Sequence, residues 1–174
     1  FDALRISSHF ATQFETTLVT IDGTREVVSL NGVSVKPTSD FNPSADLLLI
    51  PGCGPQWQTL HPQGLAETLQ QWHQAGKIIT SVCTGAMLVA QTGLLKGRNV
   101  TTHSTALGAL QKAGAHTINA RVVDDGDIIT SGGVTSGLDL ALYLIEHYFD
   151  PQSALATQQV LEYERRGVVW RAVK

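Results

Sequence analysis

A cysteine stands where a strand pattern gives way to a helix pattern. KIITSVCTG (77–85) begins as an apolar, β-branched run and continues into AMLVAQTGLL, with Cys83 at the bend. A residue at such a bend projects its side chain above the sheet, and the free N–H groups of the new helix face the same space. A thiolate there lies at the positive end of the helix dipole. This is the logic of a nucleophile elbow, with cysteine in place of serine. Thr84 adds a hydroxyl beside the thiol and an N–H at the helix start, and Gly85 lets the turn pack closely. A lone cysteine reads more readily as a small buried apolar residue; the strand-to-helix position makes Cys83 a candidate nucleophile.

Cys53 follows a second apolar run, DLLLIPG (46–52). Sites in open α/β sheets form outside the carboxyl ends of the strands. The Gly52–Cys53 loop is therefore expected to meet the 83–85 bend. The N–H of Cys53 is expected to form half of an oxyanion hole with that of Thr84, while the Cys53 thiol is incidental. Trp57, near this loop, is a candidate pocket wall. His103, in VTTHST, follows a third short strand and could complete a Cys–His pair; a packing or capping histidine is an equally good reading. The other five histidines receive no role. Ser136-x-x-Asp139 has the form of a capping box, Asp124-Asp125 belongs to a turn, and Glu162, Glu164, Arg165 and Arg166 form a solvated charge cluster.

The surrounding elements alternate. Residues 2–14 read as a helix and ETTLVTID (15–22) as a strand. Asn31-Gly32 and Asp125-Gly126, each between β-rich arms, signal hairpins. Residues 46–52 suit a strand buried on both faces of a parallel sheet. Leu65, Leu69 and Trp72 place an amphipathic helix over 63–75, stopped by Gly76. The helix after Cys83 is expected to run to Gly93. A short strand at 99–102 leads to a helix capped by Ser104 and ending near Ala113. Leu138, Ala141, Leu142 and Ile145 mark another helix, and Asp150-Pro151 opens a last one. The tail from Glu162 has no clear place. The pattern predicts an α/β three-layer sandwich with a mostly parallel, flavodoxin-like sheet.

At 174 residues, 43% of them hydrophobic and 16% charged, with a formal charge of −3, the chain fits one domain with a substantial core. The charge and the lack of a basic tract give no reason to expect nucleic acid as a partner of this domain. No apolar run reaches transmembrane length, and no secretory leader is expected. With only two cysteines, a reducing, cytoplasmic setting is expected, and the cysteines cannot by themselves build a structural zinc site.

LLLIPGCG, ITSVCTGAMLVAQTGLLKGRNVTTH and VVDDGDIITSGGVTSGLDLALYLIE together resemble the ThiJ/PfpI superfamily, within the class I glutamine amidotransferase-like fold. The likeness runs from about Asp2 to Tyr163. Peptidase-like and glyoxalase-like branches commonly carry Cys-His at the elbow; Cys83-Thr84-Gly85 is instead similar to the isonitrile hydratase-like members. The resemblance implies a lyase or hydrolase that hydrates an isonitrile to an N-formamide. Cys83 would be the nucleophile, Thr84 its catalytic pocket partner, and Gly52, Cys53 and His103 substrate- or oxyanion-binding residues. It implies a homodimer acting on a small molecule, with no metal or cofactor.

The resemblance also implies an acidic proton shuttle just after a first strand. FDALRI matches the part that follows that segment, so the domain is expected to lack its N-terminal strand. Cys53 stands where relatives often carry glycine. Alternative expectations are the ligand-sensing domain of an AraC-type regulator, a redox or stress sensor oxidised at Cys83, and a glyoxalase or deglycase, against which Thr84 counts.

Overall fold

The two apolar runs that precede the cysteines form neighbouring strands of one sheet. The computed structural model describes residues 1–10 and 15–172. In chain order the strands are β1 (Val27–Val28), β2 (Ser34–Val35), β3 (Leu47–Ile50), β4 (Ile78–Val82), β5 (Asn99–Val100), β6 (His116–Thr117), β7 (Val122–Asp124), β8 (Ile128–Ser131) and β9 (Trp170–Arg171). The main sheet has the order β3-β4-β8-β7-β9. β3 with β4, β4 with β8, and β7 with β9 are parallel; β7 and β8 form an antiparallel hairpin. β1 with β2 and β5 with β6 make two separate small ladders.

Among the described residues, six α-helices flank the strands: α1 (Asp2–Ser7), α2 (Leu65–Gln74), α3 (Gly85–Ala90), α4 (Leu107–Lys112), α5 (Ser136–Tyr148) and α6 (Pro151–Leu161). Alternation along the strands decides which helix each residue meets. Leu48, Ile50, Ile79 and Ile128 pack with Leu69 and Trp72 of α2, Val89 of α3 and Leu110 of α4. Leu49, Val82 and Ile129 turn the other way, toward Leu140, Leu144 and Ile145 of α5, and Leu4 of α1 joins that layer. The result is the α/β sandwich predicted above. Among the described residues, no helix is long and apolar enough to cross a membrane.

Local signals account for much of this. Gly32 and Gly126 adopt positive φ in the turns of the two expected hairpins. α2 ends before Gly76 at φ 70°. Asp150 caps α6 by accepting the Ser153 N–H at 2.7 Å, with Pro151 at the first helical position.

Several expectations are corrected. α1 ends at Ser7, with turns to Phe10; the rest of the expected helix, through Phe14, lies outside the described residues. Residues 15–22 form no strand. Leu18 meets only the Thr38–Ser39 step, its N–H donating to Thr38 Oγ1 at 2.9 Å and its carbonyl accepting the Thr38 and Ser39 N–H groups at 2.8 and 3.4 Å. β-Branched residues favour extended backbone, but a strand also needs a partner edge. α3 stops at Ala90, three residues before Gly93. The tail supplies β9, which closes the far edge of the sheet beside β7.

Candidate active site

The elbow forms as a strained bend held from both sides. Cys83 has φ 58°, in the left-handed region, which costs a non-glycine residue on the order of 1–2 kcal/mol. Its N–H donates to the carbonyls of Ser131 and Gly132 at 3.1 and 3.0 Å. Its carbonyl accepts the Thr102 hydroxyl at 2.8 Å. The end of β4 is thereby tied to the end of β8 at the residue that bears the thiol.

Two glycines make room for this bend. A Cβ on Gly85 would overlap the carbonyl oxygens of Ile50 and Pro51, so α3 can start against the end of β3 only without a side chain there. A Cβ on Gly52 would sit 2.8 Å from Cys83 Cβ and 3.3 Å from Cys83 Sγ. Gly52 therefore lies against the Cys83 side chain, and any side chain in its place must push Cys83 Cβ aside.

Thr84 does something other than the sequence predicts. It is buried, and its Oγ1 accepts the N–H of Cys53 at 3.0 Å while lying 4.0 Å from Cys53 Sγ. The expected pairing, with the N–H groups of Cys53 and Thr84 both open to a bound oxyanion, is thus replaced by a clasp: the hydroxyl consumes the Cys53 N–H. A partly buried N–H needs an acceptor, and this hydroxyl is the one the fold supplies. Burial pushes the Cys53 thiol up, the Thr84 hydroxyl opposes that, and charge on Cys83 adds to it. Thr84→Val keeps the shape but leaves the N–H unpaired. It is expected to cost about 1–3 kcal/mol in a denaturant melt and to free the Gly52–Cys53 loop for faster amide hydrogen exchange; unchanged exchange there would remove the clasp from the account.

His103, not Ser104, caps the helical segment that follows. Its Nδ1 accepts the Thr105 N–H at 3.3 Å and is 2.8 Å from Thr105 Oγ1. With Nδ1 accepting, the ring proton sits on Nε2. The ring lies against Gly133, where a Cβ would collide with it. His103 lines a polar cleft with Thr102, Asn119, Arg121 and Ser136, while Trp57 lines a separate, more apolar cleft with Met87, Ala90 and Ala109; Cys83 borders neither. The structure thus gathers Gly52, Cys53 and Thr84 around Cys83. His103 stands across Thr102, which borders its cleft and also holds the Cys83 carbonyl.

Asp139 is not a capping-box residue. Thr135 occupies the cap position of α5 without a side-chain bond to the helix N–H groups. Asp139, 1% exposed, instead takes Arg121 Nε and Nη2, both at 2.6 Å, the Tyr163 hydroxyl at 3.1 Å and the Arg166 N–H at 2.7 Å. Asp124 is likewise buried in β7, accepting the Tyr143 hydroxyl, and Arg165 pairs with Glu146. Their partners lie far along the chain, so spacing within one window carries no sign of them.

The DJ-1/PfpI family description matches residues 1–147. The chain belongs to the DJ-1/PfpI family. Among relatives, it is 33% identical over 139 residues to an isonitrile hydratase of Pseudomonas putida, covering 79% of this chain and 61% of that protein. It is 29% identical over 163 residues to the HTH-type transcriptional regulator CdhR of Pseudomonas aeruginosa, covering 91% of this chain and 48% of that one. The chain therefore spans less than two thirds of the length of either relative. A solved ThiJ/PfpI family protein from Pseudomonas syringae superposes with a TM-score of 0.78 at 28% identity, over 95% of this chain and 72% of that chain.

Proposed function

We propose that this DJ-1/PfpI domain is a cysteine-dependent enzyme of the isonitrile hydratase type, with Cys83 as nucleophile. The observation that carries the reading is the elbow itself: a cysteine held at positive φ at a strand-to-helix bend, its side chain against Gly52. The 33% identity to an isonitrile hydratase directs the choice of substrate. The Cys83 sulfur adds to the isonitrile carbon and that carbon takes up a proton, giving a thioimidate. Water then adds to the same carbon, the nitrogen accepts a proton, and the C–S bond breaks. The N-substituted formamide leaves and the thiol is restored. This route calls for a soft nucleophile and a proton donor rather than a charged clamp on the substrate. Gly52 and Cys53 shape the floor, Thr84 positions their loop, and His103 offers an Nε2–H from the neighbouring cleft. The reading takes the protein as a cytoplasmic homodimer working without metal or cofactor.

A panel of aliphatic and aromatic isonitriles should yield the matching formamides by chromatography and mass spectrometry. No formamide from any of them would overturn the reading. The regulator match over 91% of the chain favours a second one, in which the fold senses a ligand without turning it over. Saturable binding of a small molecule that is recovered unchanged, with no turnover, would select it.

A further inference from the structure

Two thiols share the elbow, and isonitrile hydration uses only one. The place a Cβ would take on Gly52 is 3.3 Å from Cys83 Sγ, and Cys53 is the next residue. Thr84, the residue after Cys83, grips Cys53 from the other side, with Oγ1 3.0 Å from Cys53 N and 4.0 Å from Cys53 Sγ. Both cysteines are free and partly buried, and the chain has no others.

We propose that Cys53 is a resolving thiol: when a hydroperoxide oxidises Cys83, Cys53 captures it as an intramolecular Cys53–Cys83 disulfide. The inference does not depend on the isonitrile reading. It requires only that Cys83 be a reachable thiol.

The chemistry balances. The Cys83 sulfur attacks a peroxide oxygen, the O–O bond breaks, and the alkoxide leaves and is protonated to an alcohol. Cys83 is now a sulfenic acid. The Cys53 sulfur attacks the Cys83 sulfur; the S–O bond breaks, and hydroxide leaves with the Cys53 proton as water. Two thiols have lost two electrons and the peroxide has gained them. A small dithiol reverses the bond by exchange.

The local structure favours capture. A disulfide needs Cα atoms within about 7 Å of each other, and the absence of a side chain on Gly52 lets that backbone segment lie against Cys83. Burial keeps Cys53 protonated above the ordinary thiol range, and charge on Cys83 reinforces this. Cys53 then gives up its proton as it condenses. The disulfide would block the nucleophile reversibly and keep it from the irreversible sulfinic and sulfonic acids.

The test is the full chain treated with an excess of hydrogen peroxide, enough to carry an unprotected thiol to the sulfinic acid, and read by intact mass and non-reducing peptide mapping. Wild type should lose two hydrogens, show a Cys53–Cys83 cross-linked peptide, and recover its mass with dithiothreitol. Cys53→Ser should instead gain two oxygens on the Cys83 peptide, and Cys83→Ala should keep its mass. A wild type that gains two oxygens as fast as Cys53→Ser, with no cross-linked peptide, would overturn the proposal. The wild-type peptide map decides the matter even if a variant folds poorly. Because mass is the readout, the result is independent of whether isonitriles are substrates.

Discussion

Cys83→Ala is expected to lower formamide formation by about three orders of magnitude or more, with an unfolding midpoint close to that of the wild type. Without the sulfur there is no covalent intermediate, and what remains is binding and polarisation of the substrate by the pocket. Stability behaves differently because the backbone, not the thiol, makes the bonds at this position. The contacts to Ser131, Gly132 and Thr102 all use main-chain atoms of Cys83. Cys83→Gly sharpens the test. Glycine avoids the Cβ penalty at φ 58°, on the order of 1–2 kcal/mol, which offsets its own entropic cost of about 0.5–1 kcal/mol. The glycine variant should thus be at least as stable as the wild type and just as inactive. A residue whose removal relaxes the fold while ending turnover is held under strain for its chemistry. The opposite pattern, a large loss of stability with turnover retained, would make Cys83 a packing residue.

What could be read from the sequence was whatever depends on neighbours in the chain. The apolar runs before the cysteines, the Gly-containing turns at 32 and 126 and the Asp150 cap all act within a few residues, and all formed. The elbow was legible for the same reason, since a strand period meets a helix period at Cys83. The misreadings involve partners that no local window contains. Residues 15–22 have strand composition but lack a paired edge. Thr84 faces Cys53, thirty-one positions earlier, and so spends the N–H that was expected to serve an oxyanion. Ser136 and Asp139 have capping spacing, yet the carboxylate turns inward because Arg121, Tyr163 and Arg166 converge on it. In the charge cluster near the C-terminus, Glu162, Glu164 and Arg166 are exposed as expected, while Arg165 pairs with Glu146 of α5, a partner no local window contains.

That inward carboxylate supports the second large prediction. Arg121→Ala is expected to destabilise the domain by about 3–5 kcal/mol, the cost of leaving a buried charge without its counter-ion. The Arg121 side chain is 32% exposed but Asp139 is 1% exposed, so the penalty falls on the carboxylate, which keeps only the Tyr163 hydroxyl and the Arg166 N–H. Removing the carboxylate as well should restore part of the loss: the Arg121→Ala/Asp139→Ala double variant should be more stable than Arg121→Ala alone. Arg121→Lys should fall between, because an ammonium cannot reproduce the paired Nε and Nη2 contacts with Asp139 and the Nη2 contact with Thr135. Denaturant melts of these proteins, with Asp139→Ala added to close the cycle, measure the coupling. The effect should also reach the elbow by a path of main-chain bonds. The Arg121 carbonyl accepts Gly132 N–H at 3.0 Å, and the Gly132 carbonyl accepts Cys83 N–H at 3.0 Å. Loosening Arg121 therefore loosens the loop that holds Cys83 in its strained turn, and amide exchange at Gly132 and Cys83 should quicken more than at Ile79 in the middle of β4. An Arg121→Ala variant less than about 1 kcal/mol below wild type would show that Asp139 does not rely on the guanidinium, and equal exchange at both places would cut the link from this ion pair to the thiol.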